Sequence, residues 1–245
     1  MSPTIKLLGP PVIEPPEDHS TNGADPRLRD KSLALLAYLA TEASPVRRDS
    51  VAALFWPESA QKQARANVRT ALSDLRRALG DSLVDATNEF LAIVVPCADV
   101  HVFRELLRKE QPSAAWEALS LYRGDFLAGF SLKDTPEFDT WTLLHSERFR
   151  SDFSSLLRSG AKELESQGDF AAATTVARRL LSLDEMEESS HQLLMRVLLK
   201  RKKWRAVIDQ FDHCRSVMER EFDESPGPTT VAFRDAALEH RSLTS

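Results

Sequence analysis

The stretch AQKQARANVRTALSDLRRALG, Ala60 to Gly80, places five basic residues on one side of a single helix in a chain that is otherwise acidic. At roughly 100° per residue, Gln61, Ala64, Val68, Ala71, Leu72, Leu75 and Leu79 fall within about 60° of one line and form a core-facing stripe. Lys62, Arg65, Arg69, Ser73 and Arg76 occupy the neighbouring arc, about 60° to 140° from that line, with Arg77 further round and Asp74 well off it. Lys62, Arg65, Arg69, Arg76 and Arg77 against Asp74 give the stretch +4; the whole chain carries −5, so the remainder is −9. Such a balance argues against bulk, non-specific nucleic-acid binding, but not against a local basic patch, which acts through the field close to its own surface. The face suits phosphates and base edges; a merely solvated charged face is the alternative.

The flanking sequence decides between these. Ser59 stands where it can cap the basic helix, and Asp49 or Ser50 can cap a short helix from Ser50 to Trp56 that Pro57 ends. Before it, KSLALLAYLAT from Lys31 to Thr41 is a Leu- and Ala-dense helix closed by Ser44-Pro45. Ile5–Leu8 and Val12–Glu14 read as short strands split by Gly9-Pro10-Pro11, with a loop from Pro15 to Asp25. After Gly80, Ser82–Asp85 and Phe90–Val95 are extended runs joined by Ala86-Thr87-Asn88-Glu89, a hairpin. A strand pair, three helices and a hairpin, in that order, predict a winged helix-turn-helix whose third helix enters the major groove of DNA.

From Val100 onward the pattern is continuously helical, with signals near 102–109, 112–122, 136–166, 169–183, 187–201, 204–221 and 228–240. Gly168-Asp169-Phe170-Ala171-Ala172-Ala173 superposes on Lys202-Lys203-Trp204-Arg205-Ala206-Val207 at a shift of 34 residues, and Leu164 falls on Leu198. That period is the one of tetratricopeptide helix pairs. The expected fold is therefore mainly α: a winged helix-turn-helix with small β elements over residues 1–98, then an all-α, tetratricopeptide-like repeat domain over 99–245. A length of 245 residues accommodates two such domains.

Several function classes are disfavoured. Cys97 and Cys214 are far apart, with no CxxC and no His at ligand spacing, so neither a disulfide framework nor a zinc site is suggested. No apolar run spans a membrane and the N-terminal residues carry no signal-like region, so a cytoplasmic protein without membrane contact is the expectation. The six histidines form neither HExxH nor a triad-like neighbourhood, and His145 with Glu147 reads as two polar residues on a helix surface. No enzyme, metal or cofactor is indicated. Tyr38, Phe55, Trp56, Trp116, Tyr122, Trp141, Phe170 and Trp204 read as core residues rather than base-stacking platforms.

LLGPPVI at Leu7, RDKSLALLAYLA at Arg29, VRRDSVAALFWPES at Val46, ARANVRTALSDLRRALG at Ala64, DVHVFRELL at Asp99 and ALSLYRGDFLAGF at Ala118 stand in one chain with EESSHQLLMRVLLKRKKWRAVIDQF at Glu187 and MEREFDESPGPTT at Met218. This set resembles the SARP-type bacterial transcriptional activators over nearly the whole chain. The resemblance implies an OmpR-like winged helix followed by a bacterial transcriptional activator domain of tetratricopeptide-like helices. It implies double-stranded promoter DNA as a partner, and dimer contacts, RNA polymerase contacts or regulatory input for the helical domain. The family's wing often carries Gly-Tyr before its last strand, where this chain has Glu89-Phe90. With Asp81, Asp85 and Glu89 nearby and no Lys or Arg from Asp81 to His101, the wing is poorly suited to phosphate. Many relatives continue into a nucleotide-binding ATPase module; no GxxxxGK[ST] occurs here.

The candidate DNA-binding residues are Lys62, Arg65, Arg69, Thr70, Ser73, Arg76, Arg77, Arg47 and Arg48. Arg65 and Arg69 suit base edges, since a guanidinium pairs bidentately with guanine, while Lys62 and Arg76 suit phosphates. Arg47 and Arg48 either touch the DNA backbone or complete a turn. Asn67 lies off the main arc and reads as a packing or capping residue. The competing function is a protein-interaction scaffold whose winged helix no longer binds DNA.

Overall fold

In the computed structural model, which describes residues 4–14, 28–94, 98–109 and 112–242, the chain is mainly helical with a few short strands. Its residues group into two compact units, Met1–Arg108 with Leu121–Phe149, and Lys109–Ser120 with Arg150–Ser245.

In the first unit, β1 (Thr4–Lys6) pairs antiparallel with β2 (Val12–Glu14) in the register Ile5↔Ile13. The turn between them approaches a later loop so closely that a Cβ on Gly9 would stand 3.0 Å from that of Arg123, and its φ of +132° lies where side chains are rarely accommodated. Next come α1 (Asp30–Thr41), β3 (Val46–Arg47), α2 (Arg48–Phe55) and α3 (Gln61–Leu79), then β4 (Val84–Ala86), β5 (Phe90–Ile93) and α4 (Asp99–Arg108). Leu35, Leu36, Val51, Phe55, Val68, Leu72, Leu75 and Leu91 are buried together as the core of the helix-turn-helix. The wing is a three-stranded sheet in the order β3-β5-β4. Two residues are too few to register as a strand in sequence; β3 exists because Val46 and Arg47 pair with Leu91 and Phe90.

Three local expectations need correction. Helix α3 starts at Gln61 with Ala60 at its cap and no side-chain cap bond, so Ser59 does not cap it. Helix α2 begins at Arg48, also without a side-chain cap, because Asp49 turns its carboxylate to Arg65 instead. Gln61 is exposed at the helix start rather than part of the buried stripe. Val95, Cys97 and the Pro15–Asp25 loop lie outside the described residues.

Asp99 opens α4 and accepts the backbone N–H groups of Leu7 (2.8 Å) and Leu8 (3.0 Å), while Ala98 bridges Ile5. The spatial grouping places α4 with the segment that Asp99 holds. His145 is half-buried against Phe126, Trp141 and Phe149 rather than on the surface, and burial holds its pKa below the usual histidine range.

The second unit contains the greater part of α5 (Pro112–Leu121), the later part of α6 (Pro136–Ser166), and α7 (Phe170–Leu181), α8 (Glu188–Lys200), α9 (Trp204–Phe222) and α10 (Pro228–Ser242). These helices match the spans read from the sequence to within three residues. Helix α7 packs on α8, α8 on α9 and α10 on both α8 and α9, with Ala173, Val176, Leu180, Leu194, Val197, Val207, Phe211 and Val217 buried. Arg158 to Glu187 (2.6 Å) and Arg196 to Glu165 (2.9 Å) tie α6 to the start and middle of α8. The Cys214 thiol is buried and pushed up to about 11, which makes it an inert core group. Tyr122 is buried, and Tyr38, Trp56, Trp141, Phe170 and Trp204 are half-buried, but Trp116 is 52% exposed. The small side chains of Ala114, Ala115 and Ala118 form the buried stripe of α5 and leave Trp116 off it.

His191 is buried between the Glu185 carbonyl (2.8 Å from Nε2) and the Gln210 amide (2.7 Å from Nδ1). Burial lowers its pKa, and His213 adds to this, against the Glu185 carbonyl and the Glu185 and Glu188 carboxylates, which raise it. The neutral ring is thus the folded form: its contribution is fully present above the unfolded value of about 6.5 and is lost as pH falls through the window below it. Thermal melts from pH 7.5 to 5 are expected to fall more steeply for the wild type than for His191→Gln; parallel curves would exclude His191 as the source.

Candidate nucleic-acid interface

One side of α3 is fixed by burial. Ala64, Val68, Ala71, Leu72, Leu75, Ala78 and Leu79 face the core, and so does Asp74, whose carboxylate accepts Arg29 Nε (2.6 Å), Ser32 Oγ (3.0 Å) and Arg77 (3.0 Å). This buried acid pins α1 to α3 and draws Arg77 back along its own helix. At the end of α2, Lys31 donates to the Phe55 carbonyl (2.7 Å) and lies over the Trp56 ring, a cation at a helix C-terminus. The rotation of α3 is therefore set from its inner side.

The opposite side presents Lys62, Arg65, Arg69, Thr70 and Ser73 to solvent, with Arg76 half-buried beside them. Among the described residues, no ion pair engages Lys62, Arg69 or Arg76. Arg65 differs: its fork meets both oxygens of Asp49 at 2.7 Å, which raises the pKa of the arginine and lowers that of the acid, the hydrogen bond being the largest cause for each. Thr70 donates to the Ala66 carbonyl one turn back (3.2 Å), and Asn67 accepts from Gln63 (3.0 Å).

Arg48 joins this face from the start of α2. Burial lowers its pKa, and the nearby charges of Arg69 and Arg76 add to the effect; its buried Nε has no hydrogen-bond partner. Arg48, Arg65, Val68, Arg69 and Asn88 line a cavity of about 260 Å³ between the two helices and the wing turn. Three guanidinium groups around one open cavity, one of them with an unsatisfied buried nitrogen, form an arrangement that an anion would stabilise. Arg47 lies apart from that cavity, on β3, with its guanidinium 5.8 Å from the centre of the Phe90 ring.

The wing turn is held by Thr87, whose hydroxyl accepts the Phe90 N–H (2.9 Å), and by the Arg48 N–H donating to the Glu89 carbonyl (2.8 Å). Asp81, Asp85 and Glu89 are all exposed, so the wing presents acids. Asp49 and Asn88 were missed in the sequence. They lie 16 residues before and 19 after Arg69's neighbourhood as defined by Arg65 and Arg69, beyond any helical period, and only the docking of α2 and the wing against α3 brings them in.

Among the described residues, no group of three or more His, Cys, Asp or Glu could hold a metal, and no helix is long and apolar enough to cross a membrane. Residues 98–238 match the model of the bacterial transcriptional activator domain. No curated protein matches the chain. Its fold is similar to the solved structure of Mycobacterium tuberculosis EmbR in complex with a low-affinity phosphopeptide, with a TM-score of 0.64 at 16% identity, over 98% of this chain. The match takes in 65% of the EmbR chain, so the present chain spans just under two thirds of that protein's length. The helical domain matches its family over more than half of the sequence and the fold matches from end to end: the chain belongs to the bacterial transcriptional activator domain family, that of the SARP-type transcriptional regulators.

Proposed function

We propose that the protein is a sequence-specific transcriptional activator that inserts α3 into the major groove of double-stranded promoter DNA. The observation that carries this is the exposed cationic face of α3, with Lys62, Arg69 and Arg76 free of ion pairs among the described residues and Arg48 converging on the same cavity. Arg69 reads a base edge; Lys62 and Arg76 hold phosphates, with Ser73 and Thr70 alongside. Arg65 must release Asp49 to reach a base, or remains as the strut that orients α2 on α3. Arg48 holds a backbone phosphate at the cavity, while Arg47, against Phe90, and Arg77, held by Asp74, flank the face outside it. Residues 1–98 supply the DNA reader and residues 99–245 the contacts to a second copy, to RNA polymerase or to a regulatory signal. The protein acts in the cytoplasm and is not an enzyme.

Gel shifts on promoter DNA test this. Arg69→Ala is expected to cost about 1–3 kcal/mol and to relax one position of the site. Lys62→Ala is expected to weaken all sequences alike and to flatten the salt slope by about one unit. The exposed acids of the wing favour one competing reading, an interaction scaffold that has lost DNA binding. Unchanged binding of both variants at modest salt, or no salt-dependent affinity for any duplex, would decide for it.

A further inference from the structure

The turn from α8 into α9 is the most cationic run of the chain: Lys200, Arg201, Lys202, Lys203 and Arg205 fall within six residues, interrupted by Trp204. It is also where the internal repeat departs from its first copy. At the shift of 34 residues, Gly168 and Asp169 correspond to Lys202 and Lys203. In the first copy Gly168 takes φ +81°, and Asp169 caps α7 by accepting the Ala172 N–H at 3.0 Å. In the second, Lys202 takes φ +56° in the same left-handed region, and Lys203 stands at the cap of α9 with no side-chain bond. The backbone path is kept, while both residues suited to it are exchanged for lysine.

That exchange is locally unfavourable. A left-handed lysine carries strain that glycine does not, and a lysine cannot accept the N–H groups of the first helical turn. Packing offers no compensation, since Lys200, Lys202 and Lys203 are exposed and, among the described residues, none has an ion pair. Arg201 donates to Thr174 in α7 (3.1 Å) and Arg205 pairs with Asp209 of its own helix (2.9 Å). Departures from local rules that bring no structural return are where functional residues concentrate.

We infer that this turn holds backbone phosphates of duplex DNA, as a second, sequence-independent contact that does not depend on the groove reading of α3. Lysine ammonium groups are compact point charges that suit phosphates without demanding a fixed geometry. Trp204 is stacked on His240 at 4.6 Å and 16°, so its ring is committed to the fold and does not offer the platform a single strand needs. No large apolar side chain is exposed within 200–205, so the turn lacks the anchor that a protein partner would bury.

The test is a double exchange that restores the first-copy pair, Lys202→Gly with Lys203→Asp, in the full chain. It is expected to raise Tm and at the same time weaken binding to a promoter fragment and to an unrelated duplex by the same factor, about 5- to 30-fold near 50 mM salt, with the salt slope falling by about two units. Lys200→Gln with Lys203→Gln, which leaves the left-handed residue in place, should weaken both duplexes without the full gain in Tm. Equal affinity and slope for wild type and both double variants would overturn the inference. If Arg69→Ala abolishes promoter preference while the turn variants bind as wild type, the groove reading stands and this one falls. If the turn variants lose both duplexes while Arg69→Ala changes nothing, the reverse holds.

Discussion

Phe55→Ala is expected to cost the winged-helix unit about 3–5 kcal/mol of folding free energy, the range for deleting a buried aromatic ring. Phe55 ends α2 with no exposed surface, its ring 5.2 Å from that of Phe138, 5.9 Å edge-on from Tyr38 and 6.0 Å from Trp56. Four aromatic rings meet there, so truncation leaves a cavity that no small shift can close. Domains are stable by only about 5–15 kcal/mol, so this one change removes a large share. It also reaches the DNA face, because α2 carries Arg48 and Asp49, and the cavity shared with Arg69 needs α2 docked on α3. Denaturant unfolding followed by duplex titration checks both parts. The expectation fails if Phe55→Ala unfolds at the wild-type midpoint; Phe55→Leu should lose much less, since it refills most of the volume.

Asp99→Ala is expected to be of comparable size by a different route. The carboxylate accepts two buried backbone donors, Leu7 and Leu8, and each left without a partner costs about 1–3 kcal/mol. Burial raises the Asp99 pKa, against the Leu7 and Leu8 N–H groups, Arg123 and the Val100 N–H, which lower it. Removing a buried charge therefore offsets part of the loss without cancelling it. Because the segment that follows β1 is held to α4 through this residue, amide exchange at Leu7 and Leu8 should accelerate ahead of the rest of the unit. Unaltered protection at those two amides would show that other groups satisfy them.

Much of the fold was legible in sequence because helices are written locally. A stripe at every third or fourth position needs no knowledge of the partner surface, so the spans of α3 and of α6 to α10 followed from periodicity and punctuation. The caps at Ser59, Asp49 and Ser50 failed for a reason of the same kind in reverse. A cap is inferred from residue type alone, and Asp49 found a guanidinium across the helix-turn-helix more favourable than the start of its own helix. Strand β3 was invisible since its two residues carry no pattern until Leu91 and Phe90 pair with them. Trp116 misled because aromatic residues are usually buried, while here three alanines took the inner face of α5.

The basic arc of α3 was fixed by sequence alone, since Lys62, Arg65, Arg69, Ser73 and Arg76 share a face by helical geometry whatever surrounds them. Sequence alone also set the repeat and the exchange of Gly168-Asp169 for Lys202-Lys203. Only the tertiary structure decided which of those cations are committed and which are free: Arg65 is held by Asp49, Arg77 by the buried Asp74, and Arg48 is brought in beside Arg69 and Arg76. The physical reason is range. Backbone periodicity acts over one or two turns, whereas an ion pair or a shared cavity depends on which distant segments the core packs together.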